Sequence, residues 1–259
     1  MALENSPPSP PMLLPGERLD EVNDRLSLIQ KTDGLTFGTD ALLLAGFVRG
    51  AKDARLLELG GGSGIISMLL CARNKCQTAI CAEIQKEYAD LIRRNAAMNG
   101  LDSRLTALHA DVRTPEALGP CESYDVVCSN PPYMPAGSGP ENAYLPKNIA
   151  RREIMGGIED FCRAAGYALR YGGNFYCVYR AERLADLFSA LKEYGMEPKR
   201  LTPIMADVQT PPVLILVEAK RGGKPGLRFT SPFYIYREGT REYSPAMEQL
   251  LRSGNMETK

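Results

Sequence analysis

Two short stretches of the 259-residue chain combine residue types and spacings able to do chemistry: Glu58-Leu59-Gly60-Gly61-Gly62-Ser63-Gly64 and Asn130-Pro131-Pro132-Tyr133. In the first, Gly60, Gly62 and Gly64 let backbone N–H groups approach a ligand closely where a strand gives way to a helix. The spacing is not the dinucleotide fingerprint G-x-G-x-x-G, because Ile65 stands where its third glycine belongs and Gly64 comes one residue early; no G-K-[ST] follows to grip a phosphate. An acid just ahead of the turn, Glu58, would repel a pyrophosphate and suits a ligand with a sulfonium or ammonium charge. S-adenosylmethionine is such a ligand; a glycine-rich turn without a ligand is the alternative.

In the second stretch, two consecutive prolines fix the backbone and remove two N–H donors. Carbonyl oxygens and the Asn130 side chain remain as oriented acceptors beside the aromatic face of Tyr133, which suits a planar amine: acceptors for its N–H groups and a ring to stack on. Taken alone, the same four residues also fit a stiff turn capped by a packed tyrosine. Glu83, in Cys81-Ala82-Glu83-Ile84, is placed to accept both hydroxyls of a ribose, and Asp111, in His109-Ala110-Asp111-Val112, the amino group of an adenine. For Asp111, turn or helix capping is the competing role.

The elements that would position these residues follow from the apolar pattern. Strands are expected at Arg55 to Leu59, Thr78 to Glu83, Arg104 to His109, Tyr124 to Ser129 and Asn174 to Tyr179. Helices are expected near Gly64 to Arg73, Lys86 to Met98, Ile149 to Leu169 and Ala181 to Tyr194, stopped by Asn99-Gly100, Gly172-Gly173 and Gly195. This βα alternation predicts a parallel sheet with helices on both faces. Arg200 to Ala206 and Val213 to Lys220 are joined by a link too short for a crossover helix, so that pair is antiparallel. The expected architecture is a doubly wound, seven-stranded, mostly parallel α/β sheet with an antiparallel C-terminal pair. Glu83, Asp111 and Asn130 would then all stand at carboxyl ends of strands and line one crevice with the glycine turn.

Residues 1–16 hold five prolines and few large apolar groups, the composition of a disordered tail; residues 17–50 read as an extension packed on the core, and 51–259 as the α/β domain with a basic C-terminal segment. Basic and acidic residues balance at 31 each, so net charge excludes no partner. Seven Cys without C-x-x-C and a single His, His109, argue against a disulfide framework or a Cys/His metal site, and reduced thiols fit a cytoplasmic protein. Cys71, Cys76 and Cys81 are expected as buried small hydrophobes. No apolar run approaches the roughly 20 residues that cross a bilayer.

The glycine turn together with Asn130 to Tyr133 resembles the class I S-adenosylmethionine-dependent methyltransferases of the amino-methylating kind. Within them, Asp20, Gln30, Phe37-Gly38-Thr39-Asp40-Ala41-Leu42-Leu43-Leu44 and Ala150-Arg151-Arg152-Glu153 are similar to the bacterial tRNA(Val) adenine N6-methyltransferase family, over nearly the whole folded chain from about Arg18. That family more often has Asp where Glu58 stands, Thr where Gly61 stands and His where Arg152 stands. The resemblance implies a Rossmann-like fold and methyl transfer to adenine N6 in tRNA, with Asn130, Pro131, Pro132 and Tyr133 as the catalytic group. Cofactor contacts would come from Thr39, Asp40, Glu58, Gly60, Gly62, Gly64, Glu83, Ile84, Asp111, Val112 and Asn130, with Asp40 closing over the cofactor and no metal required. Release-factor glutamine, rRNA guanine N2 and DNA adenine are alternative acceptors, and an RNA-binding module without turnover is a further one. From Lys220 to Arg241 six basic residues face the single acid Glu238, which fits an RNA surface or an ordinary solvated one; Arg151-Arg152 add a second basic spot.

Overall fold

The computed structural model describes residues 12–34, 36–133 and 156–257. An antiparallel hairpin, β1 (Glu17–Asn23) and β2 (Leu26–Lys31), leads to α1 (Thr39–Phe47). Then follow β3 (Arg55–Leu59), α2 (Ile65–Ala72), β4 (Thr78–Glu83), α3 (Lys86–Met98), β5 (Leu105–His109), β6 (Tyr124–Ser129), α4 (Ile158–Ala168) and β7 (Leu169–Arg180). After these come α5 (Leu184–Glu193), β8 (Met196–Met205), β9 (Leu214–Arg221), two-residue strands β10 (Arg228–Phe229) and β11 (Phe233–Tyr234), and α6 (Pro245–Ser253).

The sheet runs in the order β10-β8-β9-β7-β6-β3-β4-β5, with β11 also on β8. Strands β3 to β7 are parallel, and β9 lies antiparallel to both β7 and β8, as the short link between the last pair requires. The chain crosses from β3 outward in both directions, to β4 on one side and β6 on the other, which opens a crevice at the carboxyl ends of those strands. Alternate residues of each strand feed two cores. Leu56, Ala79, Cys81 and Val126 pack with α1, α2 and α6, while Leu57, Leu59, Ala82 and Val127 pack with α4 and α5.

Several elements depart from expectation in extent. β7 begins at Leu169 rather than Asn174, the antiparallel pair is longer at its outer end, and residues 181–183 form a 3-10 turn before α5. Helix α4 starts at Ile158 within the described residues; Ile149 to Met155 of the expected helix lie outside them. The seven expected strands are joined by β10 and β11, whose two residues each carry no periodic signal. Of the expected tail, residues 1–11 lie outside the described part. Met12 to Gly16 belong to the fold: the Met12 carbonyl accepts from Arg94 at 2.6 Å, and Glu17 N–H donates to the Leu14 carbonyl at 3.0 Å.

The N-terminal extension is tied to the core by polar groups as well as by apolar packing. Asn95 on α3 is fully buried; its Nδ2 donates to the carbonyls of Ile29 and Ser63 at 3.1 and 3.2 Å, and its Oδ1 accepts from Ile29 N–H at 2.7 Å. One side chain thus joins β2 to the glycine turn. Gln30 donates to Asp20 and accepts from Phe37 N–H at 2.9 Å, so three residues singled out in the sequence form one chain that fixes the entry to α1.

Candidate functional site

Between Leu59 and Ile65 the chain must pass from the sheet to α2. Gly60 and Gly61 N–H groups donate to the Ala82 carbonyl at 2.9 and 3.1 Å, pinning the turn to the end of β4. Gly62 and Gly64 take φ of +55° and +83°, left-handed values that cost other residues dearly. Gly62 N–H donates to Glu83 Oε2 and Gln85 N–H to Glu83 Oε1, both at 2.9 Å. Burial pushes the Glu83 carboxyl above its ordinary value, and these bonds to the carboxylate oppose the shift. A Cβ at Gly62 would meet nothing within 4 Å, so the turn offers open backbone to a ligand.

Glu58 lies on the opposite side of this turn. It shares a face of β3 with Leu56 and sits beneath α2 at 1% exposure. One of its oxygens accepts from Ser67 N–H at 2.8 Å, from the Ser67 hydroxyl and from the Cys81 thiol at 3.4 Å. Burial pushes the Glu58 carboxyl up to about 7. Expected to face the ligand, it instead anchors the first turns of α2 from below.

At the end of β6, Ser129 Oγ donates to the Leu59 carbonyl at 2.9 Å, which sets Asn130 beside the start of the glycine turn. Asn130 Nδ2 donates to Asp40 Oδ2 at 2.9 Å. The Tyr133 hydroxyl is 2.7 Å from that same oxygen and 2.6 Å from Asn130 Oδ1. Burial, with Asp40 beside it, pushes the Tyr133 hydroxyl up, so it keeps its proton and acts as a donor. Its ring meets Tyr179 edge-on, with centroids 6.1 Å apart.

These groups share a cavity of about 460 Å³, within the roughly 300–1,000 Å³ typical of small-molecule sites. Asp40, Gly60, Gly62, Glu83, Ile84, Val112, Asn130, Pro131, Pro132 and Tyr133 line it. Thr39, Glu58, Gly64 and Asp111 do not. Gly64 is the N-cap of α2, and a Cβ there would press on Ile92 and Met68 rather than enter the cavity. Asp111, placed by sequence against an adenine, holds Arg113 through the Arg113 N–H and guanidinium, with contacts down to 2.7 Å. That hydrogen bonding lowers its carboxyl pKa. The lining residues that sequence reasoning missed are Ala110, Phe161, Arg180 and Glu182. Ala110 adjoins the chosen Asp111; Phe161 belongs to α4, Arg180 to the end of β7 and Glu182 to the 3-10 turn after it, far from either motif in sequence.

The residues fit S-adenosylmethionine in kind: open glycine backbone, an acid at Glu83, apolar Ile84, Ala110 and Val112 for a purine, and acceptors at Asn130 beyond. Among the described residues no three His, Cys, Asp or Glu side chains are grouped to hold a metal, and no helix is long and apolar enough to cross a membrane.

The basic run divides over the two ends of the sheet. Lys220 pairs with Asn174 and Leu214 with Arg180, so Lys220 stands about 20 Å along the strand from the cavity end. Lys199 donates to the Lys224 carbonyl at that outer end, whereas the Tyr236 N–H bonds to the Ala206 carbonyl, placing Arg237 toward the cavity end. Arg151 and Arg152 lie outside the described residues.

Known proteins are similar to this chain in sequence and in fold. The methyltransferase small domain matches residues 31–194. The tRNA1(Val) (adenine(37)-N6)-methyltransferase of Pedobacter heparinus is 26% identical over 219 residues, covering 84% of this chain and 90% of its own. The protein of that name from Erwinia tasmaniensis is 30% identical over 218 residues, covering 83% and 86%. A predicted O-methyltransferase from Agrobacterium tumefaciens has a solved structure that superimposes with a TM-score of 0.69 at 25% identity, covering 84% of this chain and 98% of its own.

Proposed function

Because the chain belongs to the methyltransferase small-domain family, we propose that it transfers a methyl group from S-adenosylmethionine to the N6 amine of an adenine in tRNA. The observation that carries this reading is the placement of Asn130-Pro131-Pro132-Tyr133 on the same cavity as the glycine turn and Glu83. The names of the relatives support the choice of acceptor.

S-adenosylmethionine, when bound, supplies an electrophilic sulfonium methyl. Glu83 would accept the ribose hydroxyls, Gly60 and Gly62 would leave room for the cofactor's tail, and Ile84 and Val112 would offer apolar surface to the purine. Adenine N6 is a poor nucleophile because its lone pair is delocalised into the ring. Asn130 Oδ1 and the Pro131 carbonyl accept its two N–H bonds and favour a pyramidal nitrogen whose lone pair is aimed at the methyl. Alignment of this kind supplies about 7 to 11 kcal/mol of a barrier. Tyr133 provides the ring on which a base turned out of its loop stacks, worth about 1 to 3 kcal/mol. Two acceptors suit an amine with two hydrogens better than the single hydrogen of a hydroxyl, which speaks for nitrogen rather than oxygen.

The test is methyl transfer from labelled S-adenosylmethionine to unmodified tRNA, to release factor and to DNA in parallel. Label in tRNA adenine is the expected result. Label in the release factor alone would move the acceptor to a glutamine amide.

A further inference from the structure

Among the described residues Asp40 is the one cavity carboxylate bonded directly to the acceptor group, and it makes no bond to the glycine turn or to Glu83. We propose that Asp40 is a positioning residue that dictates which end of the Asn130 amide faces the amine to be methylated. The proposal rests on reading this cavity as a site of amine methylation.

A carboxylate only accepts hydrogen bonds, so the amide atom 2.9 Å from Asp40 Oδ2 is the NH2 group, and Oδ1 is the atom turned away from it. The two ends of an Asn amide are nearly equal in shape. Without Asp40 the amide can turn over and present a donor to a donor, which blocks the amine instead of holding it. The Tyr133 hydroxyl reaches both Asp40 Oδ2 and Asn130 Oδ1 but has one hydrogen. Giving it to Asp40 frees Oδ1 for the substrate N–H. Asp40 is itself held: its Oδ1 accepts from Ala41 N–H at 2.9 Å, and the Asp20-Gln30-Phe37 chain fixes the start of its helix.

A reciprocal exchange tests the assignment. In Asn130→Asp, two carboxylates face each other across about 3 Å and must share a proton, so one of them titrates above the usual range. Single-turnover methyl transfer to tRNA should fall about 100-fold at about pH 8 and recover as pH drops and the shared proton is taken up. In Asp40→Asn/Asn130→Asp the amide and carboxylate have traded places. That protein should regain most of the lost rate and lose the pH dependence, while Asp40→Asn alone loses only modestly because two amides pair in either sense. Glu83, Arg180 and Glu182, the other charges on the cavity, are common to all four proteins and drop out of the comparison. Asp40 and Asn130 also line the cofactor's cavity, so affinity for S-adenosylmethionine is measured by calorimetry for each protein and the rates are compared at saturating cofactor. Parent-like activity in Asn130→Asp at about pH 8, or a double variant no faster than Asn130→Asp, would overturn the proposal. Carbon-13 titration of the Asp side chains in Asn130→Asp needs no substrate: two ordinary carboxyl titrations would also overturn it. If the parent transfers no methyl to tRNA, the choice of substrate fails, and this titration still decides whether the two side chains face each other.

Discussion

Replacing Glu58 with Gln tests what the burial of that carboxyl costs the fold. The folded protein holds the Glu58 proton at about 7, against an ordinary 4.5. A difference of that size corresponds to roughly 3 kcal/mol. The folded state binds the proton more tightly than the unfolded chain, so stability from this group is fully present below pH 4.5 and is lost as pH rises through 7. Glu83, also raised by burial, contributes in the same sense. Glu17, held near 2 by Arg94, acts only below this window. The bonds from Ser67 and Cys81 end on one Glu58 oxygen, and Gln retains an oxygen able to keep them. Urea unfolding of parent and Glu58→Gln should therefore give two slopes against pH. The parent should lose about 3 kcal/mol more than the variant between about pH 4.5 and pH 7, and the variant should be the more stable above that. Equal pH slopes in the two proteins would refute the argument.

Glu83→Ala removes the carboxylate proposed to hold the ribose and should weaken S-adenosylmethionine binding by about 1.5 to 3 kcal/mol in calorimetry; unchanged affinity would remove Glu83 from the site. A Cβ at Gly61 would stand 2.0 Å from Cys81 Sγ, so Gly61→Thr should cost about 1 to 3 kcal/mol on thermal unfolding, and adding Cys81→Ala should recover much of it. No recovery would mean that something other than the thiol excludes a side chain there. Lys220→Glu/Lys224→Glu alters only the outer end of the sheet, so tRNA affinity and its salt dependence should hold. A slope flattened by about 0.7 to 0.9 per residue would bring the RNA to that end after all.

The alternation of short apolar runs with amphipathic ones was enough to place β3, β4, β5, β6 and the antiparallel pair: β3, β4 and β6 are buried on both faces and read as nearly continuous apolar segments, while the edge strand β5 is more exposed and still reads as a short apolar run. The same alternation could have warned about Glu58, which lies in phase with Leu56 and therefore under α2. Asp111 carried its own signal too, in Arg113 two residues on. The bonds joining Asp40 to Asn130 and Tyr133 could not be read, since they span 90 and 93 residues and depend on how the hairpin seats α1. Phe161, Arg180 and Glu182 reach the cavity by topology alone: β7 runs parallel beside β6, and its end opens onto the N-P-P-Y loop. The extra strands β10 and β11 are too short for any period to show.

Methyl transfer to an adenine amine held by Asn130 is the claim on which the rest depends. The direct measurement is mass spectrometry of nucleosides from unmodified tRNA incubated with S-adenosylmethionine and either the parent or Asn130→Ala. N6-methyladenosine should form with the parent and about 100-fold more slowly with the variant, both at saturating cofactor. Equal yields from the two proteins, or none from a parent that binds the cofactor, would contradict the account.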